Sequence, residues 1–86
     1  MKIKFSFHAI ERIKERGIEK SIIFDAIASP DKMETSSVKS DRFLFKKIYF
    51  NLQHKRDHLL IIVCEKEEDV LKVITIIDTS KISKHF

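Results

Sequence analysis

Two stretches of this chain, 58–65 and 70–77, are apolar at nearly every position and rich in β-branched residues. Such side chains lose rotamer freedom in a helix and pack well on a pleated surface, so both stretches read as strands. Between them, Glu65-Lys66-Glu67-Glu68-Asp69 forms a short acidic turn, which makes the pair antiparallel. Successive side chains of a strand point to opposite faces. Here both faces are apolar: Leu60, Ile62 and Cys64 against Leu59, Ile61 and Val63, then Ile74 and Ile76 against Leu71, Val73 and Ile77. A sheet built on this pair needs cover on both sides.

The rest of the chain supplies one cover. Lys2-Ile3-Lys4-Phe5 alternates as a short edge strand does. Ser6 is placed to cap a helix that runs to about Arg16, and Gly17 followed by apolar Ile18 is a stop signal. A second helix over 19–28 carries Ile22, Ile23, Phe24, Ala26 and Ile27, and Ser29-Pro30 ends it. A weak strand over 31–38 and a stronger one over 43–50 complete the pattern. The expected fold is α+β, with an N-terminal helical hairpin packed on one face of a four- to five-stranded antiparallel sheet. Two helices cover one face only. The other calls for the 79–86 tail, a second copy in a homodimer, or a partner protein in a hetero-complex.

With 86 residues, the chain has room for a single domain spanning 1–86. One Gly, one Pro and one Cys exclude collagen, flexible linkers, a disulfide framework and zinc sites that need paired cysteines. No apolar run approaches the roughly 20 residues of a membrane span, and the N-terminus lacks a signal-peptide apolar region. The expectation is a cytoplasmic protein without a membrane partner, cofactor or metal.

Charge is unevenly spread. The chain carries a net +4. Between Arg42 and His58 stand Arg42, Lys46, Lys47, Lys55 and Arg56 against one acid, Asp57, so this segment holds the whole excess. Strand alternation puts Phe43, Phe45, Lys47 and Tyr49 on one face, and Arg42, Leu44, Lys46 and Ile48 on the other. Aromatics interleaved with cations suit single-stranded RNA, with rings to stack bases and cations to follow phosphates. The same pattern also describes core aromatics at a lysine-rich edge. His54 and His58 lie in a loop and a strand start, a poor metal spacing, and Cys64 reads as a small core residue.

His8, Arg12 and Arg16 stand at i, i+4 and i+8 on the first helix and so fall along one line. A histidine that titrates near neutrality beside two permanent cations suits phosphodiester chemistry. It can take a proton from a ribose 2′-OH or give one to the leaving oxygen, while the arginines hold the phosphate. An ordinary solvated helix face, with Glu11 and Glu15 in ion pairs, has the same composition.

The stretch Phe5-Ser6-Phe7-His8-Ala9-Ile10-Glu11-Arg12-Ile13-Lys14-Glu15-Arg16-Gly17-Ile18 resembles the opening of a family of small prokaryotic domains of unknown function. Members are distantly similar to RelE-type and BrnT-type ribonuclease toxins. The resemblance extends through Ser29-Pro30-Asp31 and the basic strand to Thr75 in the last strand. It implies a RelE-like fold and a metal-independent endoribonuclease acting on RNA, in some relatives on ribosome-bound message, with an antitoxin protein as partner. His8, Arg12, Arg16 and Lys46 are then the expected catalytic residues. Arg42, Lys47, Tyr49, Lys55 and Arg56 are the expected RNA contacts. A non-catalytic RNA- or protein-binding module of the same fold is the alternative.

Overall fold

A computed structural model of the chain describes residues 2–36 and 41–86. Strand β1 (Lys2–Phe5) leads into helices α1 (Phe7–Arg16) and α2 (Lys20–Ala28). Strands β2 (Lys32–Thr35), β3 (Arg42–Asn51), β4 (Arg56–Glu67) and β5 (Val70–Thr79) follow, then the short helix α3 (Ile82–His85). The five strands form one sheet in the order β1-β5-β4-β3-β2. The weak strand expected over 31–38 is realised as β2, while Ser37 and Val38 lie outside the described residues.

The architecture is α+β, with two corrections to the expected form. First, the sheet is mixed. Strands β2 to β5 make an antiparallel meander, but β1 runs parallel to β5, with Lys2 opposite Val70 and Phe5 opposite Val73. A parallel neighbour at the far end of the chain leaves no turn signal to read. Second, the helices do not form a mutually packed hairpin, because α1 packs on β5 and α2 on β3 and β4. Each helix is held by the sheet.

Local chemistry explains the placement of α1. Ser6 has extended backbone angles, and its Oγ accepts a hydrogen bond from the Ala9 N–H at 3.0 Å. The Ser6 hydroxyl in turn donates to Ile74 O at 2.7 Å. That carbonyl belongs to a bulge: Cys64 lies opposite Val73 and Val63 opposite Thr75, leaving Ile74 as an extra residue in β5. At the other end Gly17 adopts φ 63°, a left-handed conformation that costs a side-chain-bearing residue strain. The Ile18 N–H then donates to Ile13 O at 3.1 Å, and Ile18 is buried beneath the turn.

The main core lies between the helices and the sheet. Ala9 and Ile13 of α1 and Ile23 and Ala26 of α2 meet Phe45, Leu60, Ile62, Cys64, Val73 and Ile76. Each fully buried Leu or Ile contributes about 1.5–3 kcal/mol. Burial also pushes the Cys64 thiol up to about 12, so it is inert packing. On the opposite face α3 packs against β4, and Leu59 and Ile61 are buried there. The chain's own tail thus covers part of the face that a second copy or partner was expected to cover, while Ile48, Phe50 and Ile77 remain exposed.

Candidate nucleic-acid interface

The His8–Arg12–Arg16 line forms as expected on α1. His8 and Arg16 are exposed and Arg12 is half-buried. Eight residues of helix separate the ends of the line by about 12 Å. Arg12 Nε is buried and has no hydrogen-bond partner among the described residues.

Lys46 does not join that line. It lies in register with Ile61 and Lys32, on the α3 side of the sheet. Its ammonium donates to His85 O at 2.7 Å and Phe86 O at 3.3 Å, and pairs with Glu34 Oε1 at 2.5 Å. An ammonium has three donors, and all three are used. The Lys46 hydrogen bond is the main reason that the Glu34 carboxyl titrates below its ordinary value. The structure therefore separates Lys46 from His8 by the thickness of the sheet.

The remaining cations divide in the same way. Lys47 donates to Ser29 O at 2.9 Å, with Asp25 and Asp31 nearby, and so ties down the C-terminal end of α2. Arg42 pairs with Glu65 across β3 and β4. Lys55 and Arg56, at the β3–β4 turn, are exposed. Among the described residues neither has an ion-pair partner, and Arg16 has none either.

Arg16 and the β3 end meet in a cleft of about 250 Å³. Its lining includes Arg16, Gly17 and Glu19 from the helix side and Tyr49, Phe50, Asn51 and Leu52 from the strand side. Behind Tyr49 lies a polar network. The Tyr49 hydroxyl donates to Asp78 Oδ1 at 2.7 Å and accepts from Asn51 Nδ2 at 3.1 Å. His58 Nδ1 is 3.2 Å from both Asp78 oxygens, and both side chains are 8% exposed. A carboxylate only accepts, so Nδ1 is the donor to Asp78. Asn51 Oδ1 accepts the His54 N–H at 2.9 Å and shapes the turn, and the His54 ring stacks on His58 with centroids 5.1 Å apart. Burial, and next the bond to Asp78, push the Tyr49 phenol up to about 12.

Asn51, His58 and Asp78 carry this network, and sequence reasoning missed their association. His58 opens an apolar strand and Asp78 closes one, so each looks like the edge of its element. Among the described residues no three His, Cys, Asp or Glu side chains group to hold a metal, and no helix is long and apolar enough to cross a membrane.

Fold and site together define a small α+β domain in which a helix C-terminus and a strand end enclose a cleft lined by Arg16, which has no ion-pair partner among the described residues. The chain belongs to the family described as a domain of unknown function, DUF4258, whose model matches residues 5–78. That span takes in α1, the cleft and Asp78. No curated protein and no solved structure matches the chain.

Proposed function

We propose that the protein binds RNA and cleaves it without a metal, as the toxin-like half of a toxin–antitoxin pair of the RelE/BrnT kind. The observation that carries this reading is the position of Arg16, which ends the His8–Arg12–Arg16 line and also lines the cleft. An RNA backbone following α1 meets three cationic or titratable side chains and arrives at Lys55 and Arg56, the exposed cations of the β3–β4 turn. His8 takes the 2′-OH proton as that oxygen forms its bond to phosphorus, or protonates the 5′ oxygen as its bond breaks. Arg12 and Arg16 stabilise the charge that builds on the phosphate. Lys46 has no part in this site and serves to anchor α3.

One observation favours a second reading, a non-catalytic RNA- or protein-binding module. His8 is exposed, and among the described residues no partner orients its ring. The two readings separate when purified protein is incubated with labelled single-stranded RNA in EDTA beside His8→Ala and Arg12→Ala. Cleavage by the wild type that both variants lose supports the ribonuclease. Intact RNA, together with unharmed growth and message on induced expression, selects the binding module. An antitoxin or a second copy is proposed to seat on Ile48 and Ile77, which α3 leaves exposed.

A further inference from the structure

We infer that the cleft beside Arg16 is a pocket for one guanine of single-stranded RNA, read by Glu19 and held through its flanking phosphates by Arg16 and Arg56. This rests on the RNA-binding reading and adds the base that the site selects. In register, Asn51 lies opposite Arg56 and Tyr49 opposite His58, all on the helix side of the sheet, where Tyr49 packs against the core. Arg16 and Glu19 line the cleft from the junction of α1 and α2, and both are exposed. Among the described residues they form no ion pair, with each other or with any other side chain. Glu19 is the N-cap residue of α2, yet its carboxylate makes no cap hydrogen bond, and Ser21 Oγ reaches Oε2 at a long 3.5 Å.

Size and chemistry identify the occupant. The cleft of about 250 Å³ is smaller than the roughly 300–1,000 Å³ pockets of drug-sized ligands and suits one flat ring system. Ile22 and Leu52 line it, and Leu52, at 80% exposed, is an apolar side chain that a base can cover. A carboxylate only accepts hydrogen bonds. Guanine presents N1–H and N2–H side by side on its Watson–Crick edge, so one carboxylate takes both. Adenine and cytosine set a ring-nitrogen acceptor beside their amino group, and uracil has one N–H between two carbonyls. Each of these turns a lone pair toward Glu19. Asn51 does not compete for the edge, because its Nδ2 donates to the Tyr49 hydroxyl and its Oδ1 accepts from the His54 N–H. Glu19 repels phosphate, which puts the base edge at the carboxylate and the backbone at the arginines.

The test uses fluorescence anisotropy of labelled oligo-U carrying one central guanine, inosine, adenine or cytosine, with the full chain. Guanine is expected to bind about tenfold or more tighter than adenine or cytosine. Inosine keeps N1–H and lacks the N2 amino group, so it is expected between them. Glu19→Gln is expected to erase the guanine preference without weakening the binding of plain oligo-U. Arg16→Gln is expected to weaken all four probes alike and to make the salt slope shallower by about 0.7. Glu19 is exposed and caps with its backbone alone, so its substitution spares the fold. Equal affinity for the four probes, or a guanine preference that survives Glu19→Gln, overturns the base pocket while leaving RNA binding intact. Absence of affinity for every probe in the wild type overturns the RNA-binding reading itself.

Discussion

Tyr49 of β3 and Asp78 of β5 are joined by a 2.7 Å hydrogen bond although β4 runs between their strands. The bond passes beside His58, which fills the space and gives the same carboxylate a second donor. Three strand ends are thereby fixed behind the cleft, and Asn51 carries the order into the turn. A buried polar network of this kind stabilises only when all its members are satisfied.

The first prediction concerns alkali. Burial and the Asp78 bond raise the Tyr49 phenol from its ordinary 10.0 to about 12. A raised value in the folded state means that this contribution to stability is whole below pH 10 and is lost as pH climbs through about 12. Tyr49 is the sole tyrosine, so ultraviolet difference titration reads it directly. Asp78→Asn is expected to lower the midpoint while leaving it above 10, since burial, the larger cause, remains. An unmoved midpoint would refute the bond's role.

Removing the carboxylate altogether strands two donors. Asp78→Ala is expected to lower stability by about 2–4 kcal/mol, because His58 and Tyr49 lose a charged acceptor in a buried setting. Urea unfolding checks this, and a loss below about 0.5 kcal/mol would show that water replaces the carboxylate freely.

Ser6 joins the α1 cap to the β5 bulge. Ser6→Ala removes both hydrogen bonds and is expected to cost about 1–2 kcal/mol, whereas Ser6→Thr, which keeps the hydroxyl, costs less. Thermal or urea unfolding of the two variants side by side tests the pairing, and equal losses would argue against it.

Lys46 tests anchoring of α3 apart from the proposed catalysis. Lys46→Met is expected to speed amide exchange in 82–86 while leaving the proposed RNA binding and cleavage unchanged. Glu34 titrates low mainly because Lys46 bonds it, so their pair is intact above the ordinary glutamate value of 4.5 and weakens as pH falls through the lowered one. Lost cleavage with α3 still protected would return Lys46 to the reaction.

The oligomer proposal has a direct check. Ile77→Lys places a charge on the exposed remainder of the α3-side sheet face and is expected to turn a dimer into a monomer by light scattering. A wild type that is already monomeric at high concentration removes the homodimer and leaves the antitoxin.

Much of the fold was legible because its signals are local. Ser6 and Gly17 bracket α1, Pro30 stops α2, and the apolar runs around Ile61 and Ile74 announce the central strands. The alternation of Lys2 to Phe5 showed β1 as an edge strand, but its parallel pairing and the helix α3 were not legible, since each is fixed by partners distant in sequence: Val70 to Val73 for β1, Lys46 and Lys32 for the tail. On the site, helical periodicity aligned His8, Arg12 and Arg16 correctly. It gave no means of seeing that Lys46 faces away, or that Tyr49 is bound while Phe50 is bare. Those facts depend on which face of the sheet the helices choose.

The extra residue at Ile74 has a consequence for the cleft. Ahead of it Leu71 and Val73 face the helices, and beyond it Ile76 and Asp78 do, so the alternation of β5 changes phase by one residue. Were the strand regular, Asp78 would point to the α3 side, away from Tyr49 and His58. Chain length between Val73 and Asp78 thus sets the site as firmly as any side chain does. Losing one residue there would keep every chemical group of the network and, like a gear slipped by a tooth, leave them unable to mesh.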